Sequence, residues 1–529
     1  MIKISEGFQI QIILWVLIIV SIVSILVRRV KLPYTLGLIL TGLGISILNI
    51  DLGIHLTPDL LLTIFLPGLL FEGAMNINPD KLFRNIKSII LFAVVGLTLS
   101  VLIAGSIFHY LLGIPWQISL LFAAMIAPTD PVAVLSIFRR LGVSKELATL
   151  IEGESLFNDG TGLVLFKIFL GLVMTGVFDF KQGVFQFFTL VGGGLVLGFI
   201  LGYLASRFSR KLDSIFVKLT ITTVLAYGSF LIAEHFHFSG VIATVTSGLV
   251  MGGYGLKFMS ANERLEIASL WNFLGFILNS FVFLLIGAEI IVGDLIIYAL
   301  PIFAGFFAIL FGRGLAVYLF SLLVNKVDDS KIISGINESI PIKWQHVIVW
   351  GGLHGGLSMV LALSLTTENP LLAQWRPFLL STVFGVVFMS LVFQGITMAP
   401  LLKMLGLVKK TKKSKEYELE LAILLKSNAA IDELQNLKES NLISTSIFRT
   451  FKKKYQSEKS SAESKVASLL KKFPDIKEEQ QKEIKLSILS SQKKALIDAS
   501  GKGLISKKVS EEVLNEINEA IFSLSTGNH

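Results

Sequence analysis

AAMIAPTDPVAVL, residues 123–135, is an apolar run interrupted by two prolines, Pro128 and Pro131, which bracket Thr129 and Asp130. A proline inside a helix removes a backbone donor and clashes with the preceding turn, so the helix must break here. Unwound backbone at membrane depth is tolerated only where it lines a polar cavity or is buried in protein. The freed carbonyls and the Asp130 carboxylate then become oxygen ligands. Broken helices near the midplane are where secondary transporters hold their cargo.

The surrounding chain places this break inside a membrane. Of 529 residues, 53% are hydrophobic and only 16% charged, where a soluble domain carries about 25% charged residues. Mean hydropathy is +0.73. Apolar runs of about 20 residues recur over the first 400 or so positions, the length that crosses a hydrocarbon core of about 30 Å. They are continuous rather than alternating, which excludes a β-barrel. Cysteine is absent, so there is neither a disulfide framework nor a thiolate metal site. The first apolar run is followed by RRVK with no small-residue cleavage site, and reads as a first span rather than a signal peptide.

Thirteen spans are expected, at about 9–27, 34–48, 57–75, 88–112, 116–138, 146–175, 184–205, 216–234, 239–253, 266–288, 296–323, 346–366 and 377–400. With the N-terminus outside, 19 loop Lys and Arg residues fall on the inner side and only Lys3, Lys181 and Arg376 outside, as the positive-inside rule requires. An odd number of spans leaves the C-terminal tail in the cytoplasm. Residues 1–407 hold 24 Lys and Arg with 21 Asp and Glu, whereas residues 408–529 hold 23 with 17. The division is therefore a membrane domain, 1–407, and a cytoplasmic domain, 408–529, expected to be mainly helical and regulatory. Within the tail, residues 415–437 carry apolar side chains at three- and four-residue steps, as do Val509, Val513, Ile517 and Ile521. The run Lys409, Lys410, Lys412 and Lys413 is an ordinary positive-inside anchor that can also touch anionic lipid.

A second polar stretch, GESLFNDGTG at residues 153–162, lies in the next span. Helical spacing puts Ser155, Asn158, Asp159 and Gly162 on one face. That face offers a hydroxyl, an amide and a carboxylate, the oxygen ligands a hard monovalent cation wants. Intramembrane acids cost about 2.5–3.5 kcal/mol each on insertion scales and are functional by default. The bases available to neutralise them are Arg313, central in its span and suited to pair with Glu154, and Lys167, two turns beyond Asp159, which is expected to snorkel. Glu72 is a further buried acid with Asn76 one turn on. GLILTGLG and LVGGGLVLG carry small residues at close-packing spacing.

TDPVAV, GESLFNDGTGLVLF, HFSGVIATVTSGLVMG, FILNSFVFLLIG, the GRGLAVY arginine, WGGLHGGLSMVLALSL and VFQGITMAPLL occur in this order. Together they resemble the NhaP-type sodium/proton antiporters of the monovalent cation:proton antiporter family, related to the eukaryotic sodium/hydrogen exchangers. The resemblance covers residues 10–405. It implies an all-α polytopic membrane protein of about 13 spans with inverted repeats, divided into a dimerisation part and a six-helix core. The fifth span and its repeat partner would be unwound and cross. It implies a cation, Na⁺, held by Asp159 with Asp130, Thr129 and Ser155, and a structural ion pair of Glu154 with Arg313. Asn158 stands where electrogenic relatives carry a second aspartate, which implies one-for-one, electroneutral exchange. The family usually reads WGGLRG, so His354 replaces an arginine; imidazole titrates near neutral pH, and His354 joins Glu72 as a possible modulator.

The expected activity is secondary exchange of Na⁺ or Li⁺ for H⁺ in pH homeostasis, with K⁺/H⁺ exchange as the alternative. The expected setting is a homodimer in the cell membrane. No Walker A sequence or nucleotide fold occurs, and neither a resident cofactor nor a nucleic-acid partner is expected. A channel would need a carbonyl-rich selectivity element of the TVGYG kind, which is absent. An enzyme is not expected, because His346 and His354 do not form HExxH and Ser155 lacks the glycines of a nucleophile elbow.

Overall fold

The structure is a computed structural model that describes residues 6–30, 33–50, 61–77, 79–177, 180–329, 340–366, 369–408, 412–440, 442–506, 508–510, 512–514 and 516–517. Lys3, Lys31, Lys331, Lys409, Lys410 and Ile521 lie outside these residues, as do the side chains of Arg28, Lys326, Lys412 and Lys413. The chain divides into two compact units, Met1–Val408 and Lys409–His529. Among the described residues all regular structure is helical.

The first unit runs through α1 (Glu6–Val30), α2 (Tyr34–Ile47), α3 (Leu61–Asn76), α4 (Ile86–Leu112), α5 (Trp116–Ile126), α6 (Val132–Leu141), α7 (Lys145–Thr175) and α8 (Phe180–Ser209). It continues with α9 (Ile215–His235), α10 (Gly240–Phe258), α11 (Ala261–Glu289), α12 (Ala299–Asp329), α13 (Ile342–Trp350), α14 (Gly356–Leu363) and α15 (Pro370–Met404). Among the described residues, eight helices are long and apolar enough to cross a membrane, namely α4, α7 to α12 and α15. The expected fifth and twelfth spans do not join that group because each is broken, into α5 and α6 and into α13 and α14. The first break follows Pro128 and Pro131. The second falls at residues 351–355, three of which are glycine.

Helix ends follow local chemistry. Ser144 caps α7 by accepting from the Leu147 N–H, and Gly176 closes it in the left-handed region at φ 72°. Ser260 and Glu263 form a complete capping box on α11. The small-residue stretches are packing surfaces. A Cβ at Gly42 of α2 would run into the Leu284 carbonyl of α11, and one at Gly198 of α8 into the Ala243 carbonyl of α10.

Two groups of helices emerge from these contacts. Helices α4 to α7 and α12 to α15 pack mainly on one another, and α1 to α3 with α8 to α11 form the other group. Helix α7 touches both.

The second unit contains α16 (Lys412–Glu439), α17 (Thr445–Lys472) and α18 (Pro474–Gly501). Lys426 pairs with Glu458 at 3.4 Å and Lys465 with Glu420 at 2.9 Å. The later residue on one helix meets the earlier on the other, so α16 and α17 are antiparallel. The amphipathic stretch 415–437 lies within α16.

Candidate functional site at two facing helix breaks

The break between α5 and α6 lies against the break between α13 and α14. The Asp130 N–H donates to the Leu353 carbonyl at 2.6 Å. The His354 ring presents Nδ1 to the Pro128 carbonyl at 3.3 Å, which takes Nδ1–H as the donor. His354 is itself held by its N–H on Ser390 Oγ at 3.2 Å. Backbone groups released by one break are therefore paired by the other, which is how irregular backbone survives away from water. This closeness explains WGGLHGG. A Cβ at Gly355 would collide with the Asp130 side chain, and one at Gly352 with the Arg313 side chain.

Helix α7 lies over the first break with the predicted face. Ser155 Oγ donates to the Thr129 carbonyl. Asn158 Oδ1 accepts from the Thr129 N–H at 3.3 Å, while its Nδ2 donates to Thr129 Oγ1 at 2.7 Å and to Glu154 Oε1 at 3.1 Å. Gly162 leaves room for the Pro128 ring. Thr129, Ser155 and Asn158 are all buried. The Asn158 carboxamide is thus engaged at three points, two on Thr129 and one on Glu154.

Glu154 receives both Arg313 nitrogens, Nη1 at 2.9 Å and Nη2 at 2.7 Å, and Arg313 Nε donates to the Ile348 carbonyl at 3.2 Å. The pair is 2% and 8% exposed, a buried bidentate bridge that fixes α7 to α12 and to the end of α13. With Glu154 neutralised, two acids remain. Asp130 accepts on Oδ1, at 2.9 Å, the N–H of Val132, the first residue of α6. Among the described residues, no hydrogen bond or ion pair falls to the Asp159 carboxylate, and Asp159 stands within electrostatic reach of Asp130 and Glu154. Asp130 and Asp159 are both partly exposed, unlike the buried residues around them.

The arrangement therefore gathers carboxylate, hydroxyl and carbonyl oxygens beside one uncommitted acid. Hard cations take oxygen ligands of these kinds, and a carboxylate with no committed partner can take a proton in a cation's place.

Glu72 stands apart from this constellation. Its Oε1 accepts from Asn76 Nδ2 at 2.6 Å. It lies within electrostatic reach of Glu152 on α7 and Arg139 on α6. Glu152 was not singled out by the sequence reading, although it stands two residues before Glu154. Lys167 does not simply snorkel: its Nζ meets Glu234 at 3.1 and 3.3 Å. Glu234 was missed as well; an acid at the end of an apolar span, ahead of a turn, was the available signal. Ser390 gave none, since serines are common in packed membrane helices.

The family described as "Sodium/hydrogen exchanger, transmembrane" matches residues 16–404. The Na(+)/H(+) antiporter ApNhaP of Aphanothece halophytica is 38% identical over 382 residues, 72% of this chain and 70% of its own. The Na(+)/H(+) antiporter NhaG of Bacillus atrophaeus is 34% identical over 94% of each chain, so the likeness extends into the tail. Among solved structures, the sodium proton antiporter MjNhaP1 of Methanocaldococcus jannaschii at pH 8 superposes with a TM-score of 0.62 at 24% identity. It covers 75% of this chain and 97% of its own, and the likeness is one of fold.

Proposed function

The chain belongs to the sodium/hydrogen exchanger family, and from that premise we propose that it exchanges Na⁺ or Li⁺ for H⁺, one for one, through competition at Asp159. The observation that carries this reading is the uncommitted Asp159 carboxylate beside the unwound Thr129–Asp130 backbone. A protonated Asp159 cannot hold a cation, and an occupied one excludes the proton. When only the loaded forms reorient, opposing gradients exchange the two ions.

Asp159 supplies the principal ligand, with Asp130, the Thr129 oxygens and Ser155 Oγ completing the set. Asn158 acts at the site by shaping the Thr129 backbone. The stoichiometry rests on charge. Asn158 is neutral and Glu154 is neutralised by Arg313, so the load on Asp159 is one monovalent ion of either kind, while Asp130 keeps its state throughout. The membrane unit makes 13 crossings with inverted repeats, the N-terminus outside and the tail in the cytoplasm, supported by the 19-to-3 distribution of loop cations. It works as a homodimer in the cell membrane, serving pH homeostasis. Glu72 and His354 modulate the site without loading the ion, and the tail is the place for a regulatory ligand.

The test is Asp159→Asn in everted vesicles. Proton movement on addition of Na⁺ or Li⁺ should disappear while the protein still assembles; retained exchange overturns the assignment. Separate additions of Na⁺, Li⁺ and K⁺ across pH decide between this reading and K⁺/H⁺ exchange.

A further inference from the structure

The access route to Asp159 is closed on one side. Along α7, Ala148, Glu152, Phe157 and Asp159 are partly exposed among buried residues between the Lys145 end and the site, whereas every residue from Gly160 to Phe166 is buried. The fifth segment repeats this. Residues 121–129 are buried, and Asp130, Pro131, Val132, Leu135 and Ser136 are partly exposed. The site is thus open toward the ends that carry Arg139 and Lys145 and sealed toward the end that carries Lys167.

The seal is made by α10. Val241 and Ile242, in its first turn, lie against α7, so that a Cβ at Gly160 would come within 2.6 Å of Ile242 Cγ1. Gly160, Leu163 and Lys167 recur at three- and four-residue steps and share this face. At its outer edge Lys167 grips Glu234, the last acid of α9, with side chains 32% and 35% exposed. The same carboxylate accepts the Gly240 N–H at 3.0 Å, at the start of α10. One ion pair therefore fastens α7, which carries the site, to the turn between α9 and α10, which belong to the other helix group. Opening the Lys167 side requires α10 to leave Gly160, and the pair must part first.

We propose that Lys167 and Glu234 form the latch on the sealed side, positioning residues whose pairing sets how often Asp159 faces that side. With about a third of each side chain uncovered by protein, the pair is only partly buried, and ion pairs of that kind part at small cost. This inference rests on alternating access to Asp159.

The chain has no cysteine, so Leu163→Cys introduces a single reporter into the native sequence. In right-side-out vesicles, a membrane-impermeant maleimide should label it slowly. Adding Glu234→Gln removes the charge but keeps an oxygen for the Gly240 N–H; labelling should rise at least threefold. Adding Lys167→Met should do the same. The swapped pair, Lys167→Glu with Glu234→Lys, should return labelling to within twofold of the parent. In exchange assays the two single substitutions should raise KM for Na⁺ applied from the Lys145 side by the labelling factor, with kcat unchanged or higher. Unchanged labelling in both single variants overturns the latch, as does a swap that labels as fast as they do. Labelling is read without ion transport, so failure of the latch and failure of Na⁺ exchange are separate results.

Discussion

Asn158 holds Thr129 at two points, through the Thr129 N–H at 3.3 Å and Thr129 Oγ1 at 2.7 Å. The amide supplies an acceptor and a donor together; a carboxylate could accept both the Thr129 N–H and its hydroxyl, but it would lose the donation to Glu154 Oε1 and add a charge. The same residue thus accounts for the shape of the break and, through its neutrality, for the proposed stoichiometry.

Replacing Asn158 separates these two contributions. Asn158→Ala strands the Thr129 N–H in a buried place, at a cost of about 1–3 kcal/mol. A lowered melting temperature in detergent together with loss of exchange is the expected outcome. Asn158→Asp is expected to make any exchange it retains respond to an imposed membrane potential. Wild-type exchange in proteoliposomes should not respond, and a potential-sensitive wild type refutes the one-for-one reading.

Glu154→Gln leaves the Arg313 guanidinium buried without a counter-charge, which costs about 3–5 kcal/mol. The variant should melt well below the wild type. Removing both charges, Glu154→Gln with Arg313→Gln, should recover part of that loss, since neither partner is then left charged. Equal melting of single and double variants would show that the pair's geometry, rather than its charge, is what the fold requires.

Gly355→Ala sets a methyl group against the Asp130 side chain, so the contact between the two breaks must shift. Exchange should fall at least tenfold in protein that still reaches the membrane. Gly171→Ala is the control, because nothing lies within 4 Å of that position; the substitution should leave exchange intact and gain about 0.5–1 kcal/mol of helix stability.

His354→Phe keeps a ring in the space while removing the donor to the Pro128 carbonyl. The loss of one buried hydrogen bond, about 0.5–1.5 kcal/mol, should appear as a several-fold rise in KM for Na⁺ as the unwound backbone loosens. An unchanged KM would mean that the ring acts through packing alone.

The break at Pro128 and Pro131 was legible because a missing donor is a property of the residue itself. So was the face of Ser155, Asn158, Asp159 and Gly162, since helical spacing is local. The pairing of Glu154 with Arg313 was readable by scarcity, there being few bases to neutralise the acids of the core. The second break was less legible: glycine permits a helix to end without requiring it. The partner of Lys167 was not legible, because a lone lysine in a span says nothing of an acid 67 residues away.

The sequence by itself determined that this chain is helical, lies in a membrane and interrupts one span around an acid, because hydropathy, helical spacing and proline chemistry act locally. Only the tertiary structure decided which acid stays uncommitted. Asp130 takes the Val132 N–H at the start of α6, Glu154 is held by Arg313, and Asp159 is left with neither. That outcome depends on distances between helices far apart in the chain, and side-chain chemistry alone does not fix them.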